Sequence, residues 1–116
     1  MNGQTELDFN PASDTSRDAA IFNLPNRERD RDRVLHALIE MGEYGGTDFD
    51  IEAATGIKQT SCGKRRLELE RDGFVARRLV VDPATMRLVP DRREAPSGAL
   101  AGVYVLAVYS TPEQRP

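Results

Sequence analysis

The chain has 116 residues, enough for one domain with a single hydrophobic core. Its formal net charge of −3 argues against indiscriminate nucleic-acid binding, and a single Cys and a single His exclude a zinc cluster or an internal disulfide. No signal peptide, membrane span, catalytic nucleophile or phosphate-binding loop is visible, so we expect a cytoplasmic protein that is not an enzyme and needs no cofactor or metal.

The N-terminal third contains a tail and a first helix. Residues 1–24 have only isolated large apolar side chains, so we expect a flexible tail. Residues 25–110 would form the domain, and residues 111–116 a short C-terminal tail. The first helix should end at Gly42, and its buried stripe should comprise Val34, Leu35, Leu38, Ile39 and Met41.

A short second helix is predicted from Thr47. The Thr47 hydroxyl can cap the helix, and Asp50 three residues later completes a capping-box pattern. Gly56 supplies the following turn. The expected inner face consists of Phe49, Ile51, Ala54 and the following Ile57.

A third helix should run from about Gln59 to Asp72 and stop at Gly73. Helical spacing places Cys62 and Leu69 on one side with Arg66 between them, and Thr60, Lys64 and Arg71 on the other, with Leu67 beside them. Gly63 costs about 1 kcal/mol of helix propensity relative to Ala. Either a DNA backbone approaches closely there, or an exposed helix merely tolerates the residue.

The C-terminal half is rich in β-prone runs. Residues 75–81 should form a strand, residues 82–85 a turn, and residues 86–89 the return strand. After a loop over residues 90–98, the apolar run 102–109 predicts a strand that is covered on both faces.

The charge is unevenly distributed. From Lys58 to Arg93 there are ten basic and five acidic residues, a local net charge of +5, which leaves −8 on the remainder. Phosphate contacts act within about 8–10 Å at ordinary salt, so the local charge matters more than the total. The basic half is therefore the candidate footprint on DNA, although charge runs also form ordinary solvated faces.

Three stretches of the chain resemble the small winged helix-turn-helix proteins of bacteriophages and prophages, especially those of actinobacterial hosts. They are residues 60–75, Arg93-Glu-Ala-Pro-Ser-Gly98 and Ala101-Gly-Val-Tyr104. The resemblance spans roughly residues 34–109. It is carried by the Arg65-Arg66 pair, Leu69, the Gly73-Phe74-Val75 ending and Ser97-Gly98. It implies an α+β winged helix-turn-helix, with three helices followed by a small antiparallel β-sheet, the wing. The segment from Val81 to Glu94 is longer than a minimal wing. Cys62-Gly63 stands where a branched residue followed by a polar residue or a proline is more usual in these proteins.

Two classes of function fit these features. In the first, the chain is a sequence-specific binder of double-stranded DNA, a regulator or accessory factor that could act as a homodimer. Its third helix would read the major groove, and the contacts near bases would come from Lys58, Gln59, Thr60, Ser61 and Lys64. Phosphate contacts would come from Arg65, Arg66, Arg77, Arg78 and Arg87.

In the second class, the domain binds a host protein instead of DNA. An outward-facing Leu67 favours this reading slightly, because an apolar side chain suits a protein partner better than a phosphate. The alternative is that Leu67 packs under the wing.

Overall fold

The computed structural model describes residues 26–116, and the predicted 1–24 tail lies outside that range. Three helices come first: α1 (Asn26–Met41), α2 (Asp48–Thr55) and α3 (Gln59–Arg71). Six three-residue strands follow: β1 (Val75–Arg77), β2 (Leu79–Val81), β3 (Leu88–Pro90), β4 (Arg92–Glu94), β5 (Leu100–Gly102) and β6 (Tyr104–Leu106). The predicted α+β class and the order of three helices followed by antiparallel strands are confirmed.

The predicted capping of α2 is confirmed in detail. The Asp50 amide donates to Thr47 Oγ1 at 3.2 Å, and the Thr47 amide donates to Asp50 Oδ2 at 2.9 Å. Gly56 follows the helix with a φ of 76°, a left-handed conformation that glycine adopts without steric cost. This capping fixes the start of α2 and therefore the short turn into α3.

The helices enclose one hydrophobic core with the first and last strands. Its buried members are Val34, Leu38, Ile51, Ile57, Cys62, Leu69 and Val75, and Tyr104 and Leu106 pack against it. The predicted burial of Cys62 and Leu69 on one side of α3 is confirmed. Ile39 and Ala54 are exposed, so their predicted burial was wrong. Both lie at the margins of short apolar stripes, where the periodicity does not locate the edge of the buried face.

The strands form three two-stranded arms that meet at one junction. The pairs are β1 with β6, β2 with β3, and β4 with β5, all antiparallel. Between the paired segments lie Arg78, Asp91 and Val103. Arg78 N–H donates to Val103 O at 2.8 Å, Val103 N–H to Asp91 O at 3.2 Å, and Asp91 N–H to Arg78 O at 2.8 Å. This closed ring satisfies the backbone groups where each extended segment changes partner.

Three predicted strands therefore differ from those observed. Residues 75–81 divide at Arg78 into β1 and β2, and the predicted loop over residues 90–98 contains β4. The last strand ends at Leu106, and residues 107–109 form a 3-10 turn. The return strand was predicted over residues 86–89, but β3 starts at Leu88 and ends at Pro90. It starts later because Met86, with a φ of 60°, belongs to the connecting loop. Strand propensity could not reveal the change of partner at the junction.

A bridge connects the helices to the strands. Gly46 lies between α1 and α2, and exchanges backbone hydrogen bonds of 2.9 and 2.8 Å with Tyr104 of β6. At Gly45, which has a φ of 65°, a side chain would clash with the Tyr104 carbonyl and lie 2.5 Å from Val105 Cγ1. Glycine at position 45 thus permits the close approach of this segment to β6.

The C-terminal residues pack along the start of β2. Ser110 O accepts from the Leu79 amide at 2.8 Å, and Arg115 Nη2 donates to Leu79 O at 2.9 Å. Residues 112–114 form a 3-10 turn between these contacts. Among the helices of residues 26–116, none combines the length and apolar character that a bilayer crossing requires.

Candidate nucleic-acid interface

One face of α3 points away from the core and carries four of the ten predicted DNA-binding side chains. Thr60, Lys64 and Arg71 are exposed at helical spacing, and Leu67 is 41 % exposed between them. Lys58 and Gln59 extend the exposed surface around the start of the helix. We call Lys58, Gln59, Thr60, Lys64, Leu67 and Arg71 the outer face of α3.

Three carboxylates near α3 have arginine partners within the chain. Glu68 lies 3.2 Å from Arg65 and 3.7 Å from Arg31 of α1. Asp48 and Glu70 lie 2.8 and 2.6 Å from Arg66. In contrast, the cations of Lys58, Lys64 and Arg71 have no ion pair or hydrogen bond within residues 26–116. The outer face is therefore positive despite the acidic overall composition.

Arg66 joins α3 to α2 and to the strands. Its Nε and Nη2 donate to Asp48 at 3.0 and 2.8 Å, and its Nη1 donates to Glu70 at 2.6 Å. The guanidinium lies 3.9 Å from the centre of the Tyr104 ring. Burial alone would lower the pKa of Arg66, but the hydrogen bonds to Asp48 and Glu70 raise it above the ordinary arginine value. Arg66 was predicted to contact a phosphate, but its hydrogen-bond donors are occupied by carboxylates within the protein.

The two arginines predicted on the first strand are also engaged internally. Arg78 donates to Asp91 Oδ2 and to Glu43 O, each at 2.9 Å. Arg77 is half-buried, lies 5.4 Å from the centre of the Tyr104 ring, and packs where a side chain at Gly102 would otherwise lie. Arg77 thus packs against Tyr104 of β6, and Arg78 connects Asp91 to the segment that follows α1.

Arg87 lies at the end of the β2–β3 hairpin, which we call the distal arm (residues 79–90). Its side chain is exposed and has no ion pair or hydrogen bond in the part of the chain that is described. Asp82 organises the loop, because its side chain accepts from the Ala84 amide at 3.0 Å and from Thr85 Oγ1 at 3.2 Å. The loop thus presents Arg87 on an ordered turn.

The distal arm also exposes a group of apolar side chains. Val81 and Leu88 are cross-strand neighbours with exposures of 44 % and 48 %, and Met86 in the loop is 76 % exposed. The last residue of this loop is Arg87, so the end of the arm combines apolar surface with one cation.

The amino end of α3 offers further donors. Lys58 occupies the N-cap position without forming a side-chain cap, and the first intrahelical bond is from the Cys62 amide to Lys58 O at 2.9 Å. The amides of Gln59, Thr60 and Ser61 precede that bond and point out of the helix end, where the helix dipole favours anions. Ser61 itself is half-buried.

Gly63 lies beside the Arg66–Asp48 pair. A Cβ at position 63 would lie 3.6 Å from Asp48 Oδ2 and 3.9 Å from Arg66 Nη2, which are ordinary contact distances. The chain itself therefore has room for a larger residue at this position, which faces the junction of α2 with α3.

The structure thus divides the ten predicted DNA-contacting residues into two groups. The exposed group is Lys58, Gln59, Thr60, Lys64 and Arg87. The half-buried group is Ser61, Arg65, Arg66, Arg77 and Arg78. Arg71, which was not among the predicted contact residues, is exposed on the same face as Lys64, as its spacing of seven residues from Lys64 indicated.

No group of three or more His, Cys, Asp and Glu side chains in the described part of the chain could hold a metal ion. Comparisons of the chain with protein-family models, curated proteins and solved structures gave no match.

Proposed function

We propose that the chain is a winged helix-turn-helix protein that binds double-stranded DNA. In this interpretation α2, the Gly56 turn and α3 are the helix-turn-helix, and Gly46 supplies the short strand that pairs with β6. The segment between β1 and β6 is the wing, enlarged into two hairpin arms. α3 would enter the major groove, and the distal arm would contact the phosphate backbone through Arg87.

The observation that carries this proposal is the charge on α3. Asp48, Glu68 and Glu70 are paired within the chain, whereas Lys58, Lys64 and Arg71 are exposed without partners in the described residues. A helix with such a face matches the negative potential of a DNA groove, and its open N-terminal amides suit a phosphate. The contact set becomes Lys58, Gln59, Thr60, Lys64, Arg71 and Arg87.

The proposed role is that of a sequence-specific transcriptional regulator or an accessory factor in DNA transactions, consistent with the resemblance to phage and prophage proteins. A homodimer on a two-fold symmetric site would suit such a role.

A duplex-selection experiment tests the proposal. The full chain is incubated with a pool of random-sequence duplexes at low salt, and the retained duplexes are sequenced over several rounds. We expect enrichment of a common motif. No retention above that of the Lys64→Glu/Arg71→Glu variant, even at low salt, would overturn the proposal.

An alternative function is protein binding, for example capture of a host protein by a phage product. It is favoured by the exposed apolar side chains of Val81, Met86 and Leu88 on the distal arm. Exposed apolar groups of this kind mark protein contacts more often than phosphate contacts. Affinity capture from nuclease-treated host lysate tests it. A stoichiometric partner that is lost with Met86→Ser/Leu88→Ser but retained with Leu100→Ser would support this function, and recovery of no protein would count against it.

A further inference from the structure

Leu67 is an apolar residue in the middle of a cationic surface. Its side chain is 41 % exposed on α3, one helical turn after Lys64 and one turn before Arg71. The Cα atoms of Lys64 and Arg71 are about 10 Å apart along a helix, because each residue advances about 1.5 Å. A surface that complements this stripe must be negative at both ends and apolar between them.

The DNA major groove has this combination. Its phosphates lie on either side of a groove about 12 Å wide, and the only apolar group on its base edges is the C5-methyl of thymine. The side chain of Leu is shorter than those of Lys and Arg, so it contacts whatever lies nearest the helix. Lys64 and Arg71 have long side chains that can reach the phosphates at the groove edges.

We propose that Leu67 contacts a thymine methyl group and makes the protein selective for thymine at one position of its site. This inference rests on the proposed DNA-binding function and adds a specificity-determining residue to it. Burial of one methyl-sized group is worth about 0.8 kcal/mol, a factor of about four in affinity.

The test replaces thymine with uracil, which has the same hydrogen-bonding groups but no methyl. A selected duplex is synthesised with deoxyuridine in place of each thymidine in turn, and the Kd of each version is measured. For the wild-type protein we expect one substitution to weaken binding about four-fold. For Leu67→Ala, binding to the unmodified duplex should be weaker and the same substitution should have no effect.

A control variant separates this contact from general loss of apolar surface. Leu100→Ala removes a side chain that is 66 % exposed on β5, and it should retain the full effect of uracil. Circular dichroism of each variant checks that the fold is intact.

The outcomes distinguish this inference from the function on which it rests. Failure to select any duplex would overturn the DNA-binding proposal. If a duplex binds tightly but every thymine-to-uracil replacement changes the Kd equally for the wild type and for Leu67→Ala, only the thymine contact is overturned. If Leu67→Ala loses a captured protein partner while its duplex affinity is unchanged, Leu67 belongs to a protein interface. That result would also overturn the thymine contact.

Discussion

Arg66 of α3 donates two hydrogen bonds, of 3.0 and 2.8 Å, to the carboxylate of Asp48 at the start of α2. The same guanidinium stacks 3.9 Å from the centre of the Tyr104 ring and donates to Glu70. One side chain thus fixes the angle between α2 and α3 and holds both against β6. This arrangement leaves the opposite face of α3 to Lys64, Leu67 and Arg71.

Arg66→Ala should destabilise the fold. It removes four interactions and leaves the Asp48 carboxylate without its arginine, for which we expect a loss of about 1–3 kcal/mol in the free energy of unfolding. Urea denaturation followed by circular dichroism measures this loss. Arg71→Ala is the matched control and should change stability by less than about 0.5 kcal/mol, because Arg71 is exposed and unpaired. Equal stabilities for the two variants would contradict the structural role of Arg66.

Gly63→Ala should stabilise the protein. The site has room for a Cβ at 3.6 Å from its nearest neighbour, and alanine raises helix propensity, so we expect a gain of about 0.5–1 kcal/mol. Gly45→Ala is the opposite case, since its left-handed φ and the clash with Tyr104 O predict a loss of more than about 1 kcal/mol. Thermal denaturation of both variants checks the pair. A destabilised Gly63→Ala would contradict the presence of free space for a Cβ beside Asp48 and Arg66.

The amides at the junction of the arms should exchange slowly with solvent. Arg78, Asp91 and Val103 donate to one another in a ring, and Val103 is fully buried. We expect their hydrogen exchange to be markedly slower than that of the Gln59 amide, which precedes the first hydrogen bond of α3. Asp91→Ala removes the 2.9 Å contact of its carboxylate with Arg78 and should accelerate all three amides together. Acceleration of one amide alone would contradict the cooperative junction.

The thiol of Cys62 should be inert in the folded protein. Burial raises the pKa of Cys62, and its Sγ donates to Ile57 O at 3.2 Å. Because the folded-state pKa lies above that of the unfolded chain, the stabilising effect is complete below the unfolded-state pKa and is lost as the pH rises through the folded-state pKa. The free energy of unfolding should therefore decline in the alkaline range for the wild type, and less so for Cys62→Val. Rapid modification of the thiol by a disulfide reagent under native conditions would contradict this burial.

The sequence predicted the helical half better than the strand half for physical reasons. The capping of α2 by Thr47 and the burial of Cys62 and Leu69 follow from local hydrogen bonding and helical spacing, which a single segment determines. The division of the strand at Arg78 depends on partners 13 and 25 residues away, at Asp91 and Val103. Long-range pairing of this kind leaves no signal in local propensity.

The candidate site shows the same contrast. Helical spacing correctly placed Thr60 and Lys64 outward, and Leu67 beside them. It could not show that Arg66 would be occupied by Asp48 and Tyr104, because those residues come from α2 and β6. Counting basic residues therefore overestimated the number of cations that lack a partner within the described chain.

The slope of log Kd against log salt concentration tests the central claim most directly. It is measured on one selected duplex for the wild type and for Lys64→Ala, Arg71→Ala and Arg27→Ala. Each phosphate contact contributes about 0.9 to the slope, so loss of Lys64 or Arg71 should reduce it by up to about one unit. Arg27 is an exposed arginine on α1, outside the outer face of α3, and its loss should leave the slope unchanged. Slopes that are identical for all four proteins would contradict the assignment of the outer face of α3 to DNA.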